Sequence, residues 1–466
     1  MPHLSPLVSV FFIALAATAS LGCNSASSAP DNSATATTAR LNSSAINTSA
    51  NTTNTGTNTL DFTRPQVFYF TNTPTADGHR VTTGQPYSDS TGFGFDLQTQ
   101  PTAEHQPFYF SVKVPEGNYR VSLEFGHAGM PSNNTLRAEL RRLYVKDLNT
   151  RAGEFITKDI LVNVRNNSLQ TPEQNAPGIN KVSLKTLEQH RLHWDNKLTL
   201  EFNGTAPHVQ RVTIQKVDVP TLYLVGDSTV TDQPYEPAAS WGQMLPYFFT
   251  APLFSGDIAV ANHAESGETM KSFIMAGRFA KVLERMKPGD YLLIQFGHND
   301  QKKQWPQTYV EAMTTYKEYL RVFIAEARLR GATPVLITSM QRRTSDQQGK
   351  IVNSHGLYPQ AVREVAQEKN LALIDLDKMS VQLYETLGTD KAPLAFNDGG
   401  KDATHHNNYG AYQLAQAVVT GLRQSRLALA RHFTDSSSYN PSRPDPVESF
   451  VLAPSPAFSS TRPDGN

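Results

Sequence analysis

Between residues 60 and 218 apolar side chains recur at every second position. Tyr119, Val121, Leu123 and Phe125 alternate with Arg120, Ser122 and Glu124, which predicts a strand with one buried face. The same period runs through 108–114, 160–164, 198–202 and 212–217, and turn signals such as Pro115-Glu116-Gly117-Asn118 separate the runs. An antiparallel β-sandwich of jelly-roll type is the natural assembly of such strands. Tyr69, Phe70, Phe93 and Phe95 offer a sugar-stacking platform on it, but alternating aromatics more often form core, and core is the expectation here.

Beyond residue 222 the period changes. Apolar runs at 222–225, 258–261, 291–296, 334–338 and 371–376 show no alternation, the mark of parallel strands buried on both faces. Between them Tyr309, Met313, Tyr316, Leu320, Phe323, Ile324 and Ala327 fall at helical spacing, with Glu311, Lys317, Arg321 and Glu326 opposite and Gly331 as a stop. Strands alternating with such helices predict an α/β fold: a flavodoxin-like three-layer α/β/α domain of five parallel strands at 219–435, preceded by the β-sandwich at 59–218. Ligands of such sheets bind beyond the carboxyl ends of the strands.

The two ends of the chain add an address and little else. Residues 7–21 are apolar and small, long enough for the core of an export signal and too short to span a bilayer. Cys23 follows Leu21-Gly22 directly, where a bacterial lipoprotein is cleaved and acylated, so 1–23 is read as a signal peptide with a lipobox and Cys23 as the lipidation site. The plainer alternative is an ordinary secretory signal with Cys23 incidental. Either way the expected location is outside the bacterial cytoplasm: lipid-anchored to the envelope, periplasmic or secreted. Residues 24–58 are mostly Ser, Thr, Asn and Ala, a composition that buries nothing and reads as a disordered linker. The Pro- and Ser-rich stretch 436–466 reads as a disordered tail.

Composition narrows the function classes. Lys plus Arg and Asp plus Glu both number 42, so no net charge recruits nucleic acid, and membrane contact is expected only through the N-terminal anchor. With Cys23 as the single cysteine, intrachain disulfides and metal sites built from several thiolates are excluded. No metal or cofactor is expected, and a monomer is.

The chemistry collects at the strand ends. After the first parallel run comes Gly226-Asp227-Ser228-Thr229; after the second, Asn262-His263-Ala264-Glu265-Ser266-Gly267; after the third, Gly297-His298-Asn299-Asp300; and near the C-terminus, Asp402-Ala403-Thr404-His405. A serine at a strand-to-loop turn, a glycine whose bare N–H admits close approach, a side-chain amide, and a carboxylate three residues before an imidazole together form the parts list of a serine hydrolase.

These four blocks in this order resemble the SGNH (GDSL) hydrolase superfamily over roughly residues 220–430, and in their detailed form look most like rhamnogalacturonan acetylesterases of carbohydrate esterase family twelve. The preceding β-region, with Gly92-Phe93-Gly94-Phe95-Asp96, is similar to the galactose-binding-like domain found ahead of that catalytic domain. The resemblance implies Ser228 as nucleophile, His405 as general base and then acid, Asp402 as the carboxylate orienting the ring, and Ser228, Gly267 and Asn299 as the oxyanion hole, with Asp227 structural. His298, Gln301 and Trp305 are candidate substrate contacts, whereas Trp241 opens an apolar helix and is read as core. His405-His406 invites a metal reading, but adjacent side chains point apart and no third ligand is evident.

The implied activity is removal of acetyl groups from an acetylated polysaccharide, rhamnogalacturonan of pectin first, with an acetylxylan esterase or a lipase-type esterase as alternatives. A rival of another class is a surface glycan-binding protein whose hydrolase domain is inactive. Acetate release by the isolated segment from about Val219 onward, set beside glycan retention by residues 60–218 alone, separates the two.

Overall fold

A computed structural model describes residues 60–71, 77–249, 258–434 and 439–456. The expected signal peptide 1–23 with Cys23, the expected linker 24–58, and residues 436–438 and 457–466 of the expected tail lie outside the described residues.

Each alternating run becomes a strand, most of them slightly longer than the alternation itself, with 108–114 ending one residue early at Lys113. Phe93–Asp96, Phe108–Lys113, Lys197–Ala206, Ser132–Ala138 and Arg142–Thr150 form one antiparallel sheet in that order. Ile156–Val164, Gly117–Phe125, Val209–Val217 and Gln66–Tyr69 pair antiparallel to form the facing layer, which ends on the short parallel strand His79–Arg80. Phe68, Tyr119, Leu123 and Phe125 from one layer and Phe110, Leu136 and Leu200 from the other fill a common core. Phe93 and Phe95 are buried in it, and Phe70 packs against Phe95, Phe108 and Phe110. Phe70, Phe93 and Phe95 thus belong to the core, as alternation predicts, whereas Tyr69 is half-buried and stands outside it.

The five unalternating runs form the parallel sheet, in the order Leu373–Ile374, Thr333–Ile337, Tyr291–Gln295, Thr221–Gly226, Ala259–Asn262. The strand order reverses at Thr221–Gly226, so a crevice opens beyond its carboxyl end. Successive residues of this strand feed two cores. Leu222 and Leu224 join helices Leu376–Lys391 and Asn408–Gln424 on one face, and Tyr223 and Val225 join Thr315–Leu329 and Tyr358–Glu368 on the other. The helix expected to carry Tyr309 and Met313 begins only at Thr315. Glu311 stops it earlier: its carboxylate accepts the N–H groups of Met313 and Thr314, both at 2.9 Å, and fixes a turn instead.

Two features lie beyond what periodicity reveals. Val260 of the parallel sheet pairs with Val162 of the sandwich, so the two sheets run on as a single ten-stranded sheet, and all described residues belong to one compact unit. The described part of the expected tail, 439–456, is ordered, which corrects the reading of disorder there. Ser455 is buried, its N–H donating to Glu236 (3.1 Å) and its hydroxyl to Glu201 (2.7 Å), and Phe450 packs on Tyr409 and Tyr412. Among the described residues no helix is long and apolar enough to cross a membrane.

Candidate active site

The strand Thr221–Gly226 ends on glycine because nothing larger fits. A Cβ on Gly226 would stand 2.5 Å from the carbonyl oxygen of Gln295 and 2.6 Å from a methyl of Val230. The chain then turns through Asp227, whose Oδ1 accepts the backbone N–H (3.0 Å) and the hydroxyl (2.8 Å) of Thr229. Asp227 is fully buried, and burial raises its pKa. It closes the turn that presents Ser228.

His405 reaches Ser228 from the loop ahead of helix Asn408–Gln424. Its Nε2 lies 2.8 Å from Ser228 Oγ and its Nδ1 2.9 Å from Asp402 Oδ2. Asp402 Oδ1 accepts the backbone N–H groups of Thr404 (2.8 Å) and His405 (3.0 Å), so the three-residue spacing folds the carboxylate back onto the ring. Burial opposes ionisation of Asp402, but the hydrogen bonds and charge of His405 and the two backbone donors outweigh it and hold the pKa at about 2. An ionised Asp402 fixes the proton on Nδ1 and leaves Nε2 to accept from the serine.

Gly267 stands at φ +77°, the left-handed region that favours glycine, in the loop after the second parallel strand. Asn299, after the third, donates one amide N–H to the carbonyl of Glu268 at 3.1 Å, which joins the two loops and leaves the second N–H for an incoming oxygen. Lys185 of the β-region braces the same loop: its ammonium donates to the carbonyl of Ser266 and pairs with Glu268 at 3.0 Å.

The loop after Ser228 is also held from the β-region. Gln233 Nε2 donates to the carbonyl of Ser228 at 2.5 Å, and the carbonyl of Gln233 accepts from Arg141 Nη1 (2.9 Å) and Gln243 Nε2 (3.0 Å). Asp232 receives Arg142 Nε at 2.7 Å and the amide of Asn262 at 2.8 Å. Glu139 and Arg141 sit at φ 55° and 60°, unusual for side chains of this size, in the turn that delivers both guanidinium groups across the boundary. Sequence reasoning missed Arg141, Arg142, Asp232 and Gln233. The available signal was a pair of arginines between Leu140 and Leu143-Tyr144, charge set inside an apolar run.

The remaining candidates separate. His298 is buried, with Nε2 3.4 Å from Met340 Sδ and Nδ1 3.1 Å from His355 Nε2, so it shapes the floor behind Asn299. Burial, then the neighbouring His355 and Arg342 charges, hold its pKa well below the imidazole range. Gln301, with its amide oriented to satisfy both neighbours, donates to the carbonyl of Ser354 (3.0 Å) and accepts from Arg342 Nη1 (2.9 Å). Trp305 is half-buried, and the Lys302 ammonium lies 4.1 Å from its ring centroid. Trp241 is core, its indole N–H donating to Gln295 at 2.8 Å. His406 turns away from the triad to meet the hydroxyl of Tyr384 at 2.7 Å. Among the described residues Glu188, His193 and Glu265 bring metal-ligating atoms within 4.8 Å of one another, but Arg278 already binds Glu188 and Arg191 binds Glu265, so the cluster holds two cations of its own.

The profile of the GDSL-like Lipase/Acylhydrolase family matches residues 224–413, which include every triad and oxyanion-hole candidate. Rhamnogalacturonan acetylesterase RhgT of Bacillus subtilis is 38% identical over 224 residues, 45% of this chain and 93% of that protein. The uncharacterized esterase YxiM of the same organism is 27% identical over 325 residues, 68% of this chain and 75% of that protein. The crystal structure of YxiM covers 78% of this chain and 99% of its own, with 24% identity and a TM-score of 0.44.

Proposed function

Because the chain belongs to the GDSL-like lipase/acylhydrolase family, we propose that its Ser228, His405 and Asp402 act as a hydrolytic triad and that the protein is a carbohydrate O-acetylesterase. The observation that carries the reading is the unbroken hydrogen-bonded chain from Ser228 Oγ through both ring nitrogens of His405 to Asp402. His405 Nε2 takes the serine proton as Oγ attacks the acetyl carbonyl. The resulting oxyanion meets the N–H groups of Ser228 and Gly267 and the free amide N–H of Asn299, and each such donor contributes roughly 10²- to 10³-fold in rate. The imidazolium, stabilised by Asp402, returns the proton to the departing sugar hydroxyl and leaves an acetyl-serine. A water molecule, deprotonated in turn by His405, attacks that ester; acetate leaves and Ser228 regains its proton.

The first-choice substrate is acetylated rhamnogalacturonan, supported by the similarity to rhamnogalacturonan acetylesterase RhgT over 93% of that protein's length. Acetylated xylan is the alternative. Export, with Cys23 as a lipid anchor, fits a polymer that does not enter cells, and the protein is proposed to act outside the bacterial cytoplasm. The test is acetate release from both acetylated polymers beside release of long acyl chains from simple esters. Faster acetate release supports the reading; faster long-chain release moves the protein to the lipase branch.

A further inference from the structure

Six arginines are buried among the described residues, and five of them meet a carboxylate: Arg137 with Glu201, Arg141 with Glu236, Arg142 with Asp232, Arg191 with Glu265 and Arg278 with Glu188. Arg165, 2% exposed, is the sixth, and it forms no ion pair among the described residues. Its Nε and Nη1 are buried without a hydrogen-bond partner there, and its guanidinium carbon lies 4.5 Å from the Trp194 ring centroid. The two acids whose fields reach it are otherwise engaged. Asp232 receives Arg142 and the amide of Asn262, and burial raises the pKa of Glu139 well above the ordinary carboxylate value. Burial, then the charge of Arg142, draws the pKa of Arg165 down to about 9, which leaves it charged at neutral pH. A buried charge with unmet donors and no counter-charge is costly.

Arg165 lines a cavity of about 500 Å³ between the sandwich and the parallel sheet. It and His263 stand three residues beyond Val162 and Val260, the pair that joins the two sheets, so both come to the same level of neighbouring strands. His263 lines the cavity too, and its Nδ1 is buried without a partner among the described residues. Burial, then the charge of Arg165, holds the pKa of that ring well below the imidazole range, so it is a neutral ring with one N–H to donate. At the rim the exposed Lys216 forms no ion pair among the described residues, whereas the carboxylates there are taken: Glu116 by Lys281 (2.8 Å) and Arg285 (2.9 Å), Asp218 by Lys287. The cavity borders Thr221 and Tyr223, in the first half of the strand Thr221–Gly226, and Ser228 follows the other end of that strand.

Accordingly, we propose that this cavity binds a small oxyanion, a carboxylate or a phosphate, with Arg165 as its principal charge and His263 as a second donor. The guanidinium offers the planar donor set that carboxylate and phosphate oxygens match, and Lys216 adds positive potential at the entrance. The bound anion does for Arg165 what carboxylates do for the other five buried arginines. It also ties the β-region to the parallel sheet, at a place separate from the triad.

Titration calorimetry of the full chain with inorganic phosphate and with succinate, at constant ionic strength, tests the site. One saturable site with a Kd of about 1 mM or tighter is expected for at least one of the two, weakened at least about tenfold in Arg165→Gln. Binding of phosphate alone identifies an inorganic oxyanion, and binding of succinate alone a carboxylate. Arg165→Lys, which keeps the charge without the fork, retains part of the affinity. Without either anion Arg165→Gln removes an unmatched charge, so its denaturation midpoint should equal or exceed that of wild type. No saturable binding to wild type up to about 20 mM of either anion overturns the site. So does binding that Arg165→Gln leaves unchanged, because the anion then sits elsewhere. An Arg165→Gln protein that fails to fold, or whose midpoint drops well below wild type, overturns it too, because the guanidinium is then already satisfied within the fold.

Discussion

At the boundary between the β-sandwich and the parallel sheet, buried arginines meet carboxylates pair by pair: Arg142 with Asp232, Arg141 with Glu236, Arg278 with Glu188, Arg191 with Glu265. At the crevice, on the loops after the third and fourth parallel strands, Arg342 donates to the carbonyls of His298 and Ser354 and to the side-chain oxygen of Gln301, and the Lys302 ammonium lies over the Trp305 ring. These four boundary cations are matched to carboxylates, whereas Arg342 is held by neutral oxygens. The difference teaches that buried opposite charges tie the β-region to the loops of the site, whereas neutral oxygens set the position of the guanidinium at the crevice. The β-region also braces the candidate site, since Arg141 reaches Ser228 through Gln233 and Arg142 reaches Asn262 through Asp232.

The comparison breaks most visibly at the triad. Asp402→Asn removes the charge that fixes the His405 tautomer, and kcat for acetate release is expected to fall about 10⁴-fold while the denaturation midpoint moves little. A kcat within tenfold of wild type would remove Asp402 from the mechanism.

At the boundary the expected effect is on folding. Arg142 and Asp232 are both inaccessible to solvent, so Arg142→Met strands a buried carboxylate and should cost about 3–5 kcal/mol in chemical denaturation. The segment from Val219 onward, expressed alone, loses the partners of Asp232, Glu236 and Glu265 together with the Val260–Val162 pairing, and is expected to be insoluble or inactive. Full activity of that segment would show that the boundary is dispensable.

Acid should expose the histidine set. Burial holds His355 and His406 at about 3, and His298 well below its ordinary value, so these rings stay neutral in the folded protein, while in the unfolded chain they take up protons near pH ~6.5. The unfolded state then binds more protons between about pH 3 and 6.5. Stability is complete above that window and declines as pH falls through it, by about 1.4 kcal/mol per pH unit for each such ring. His355→Gln should flatten the slope of unfolding free energy against pH by about one proton; an unchanged slope would mean that the ring is already charged in the fold.

The smallest effect belongs to the surface. Glu368 pairs with Arg321 on the outer helices, where water screens the pair, and Glu368→Gln is expected to leave the denaturation midpoint unresolved from wild type. A shift comparable to that of Arg142→Met would erase the contrast between surface and boundary charges.

Much of this molecule was legible in its sequence because local period reports burial. Tyr119 to Phe125 alternate and face one core, whereas 222–225 do not alternate and feed two. The four site blocks were legible because each follows a strand closely, so chain order alone brings them to one end of the sheet. What sequence could not carry was pairing between distant segments. The Val260–Val162 contact, the reach of Arg141 and Arg142 across the boundary, and the burial of Ser455 join positions tens to hundreds of residues apart with no local signature. Arg342 escaped for the same reason: it follows the fourth strand without a motif, and only the fold brings its guanidinium to the carbonyl of His298.

The central claim is that Ser228 is the nucleophile of an acetyl transfer to water. The direct measurement is acetate release from acetylated rhamnogalacturonan by wild type and Ser228→Ala, each shown to be folded by its denaturation curve. The account predicts steady release by wild type and a loss of about 10⁶-fold in the variant, the scale of nucleophile deletion in triad enzymes. A folded Ser228→Ala protein that retains more than about a hundredth of wild-type activity would contradict it.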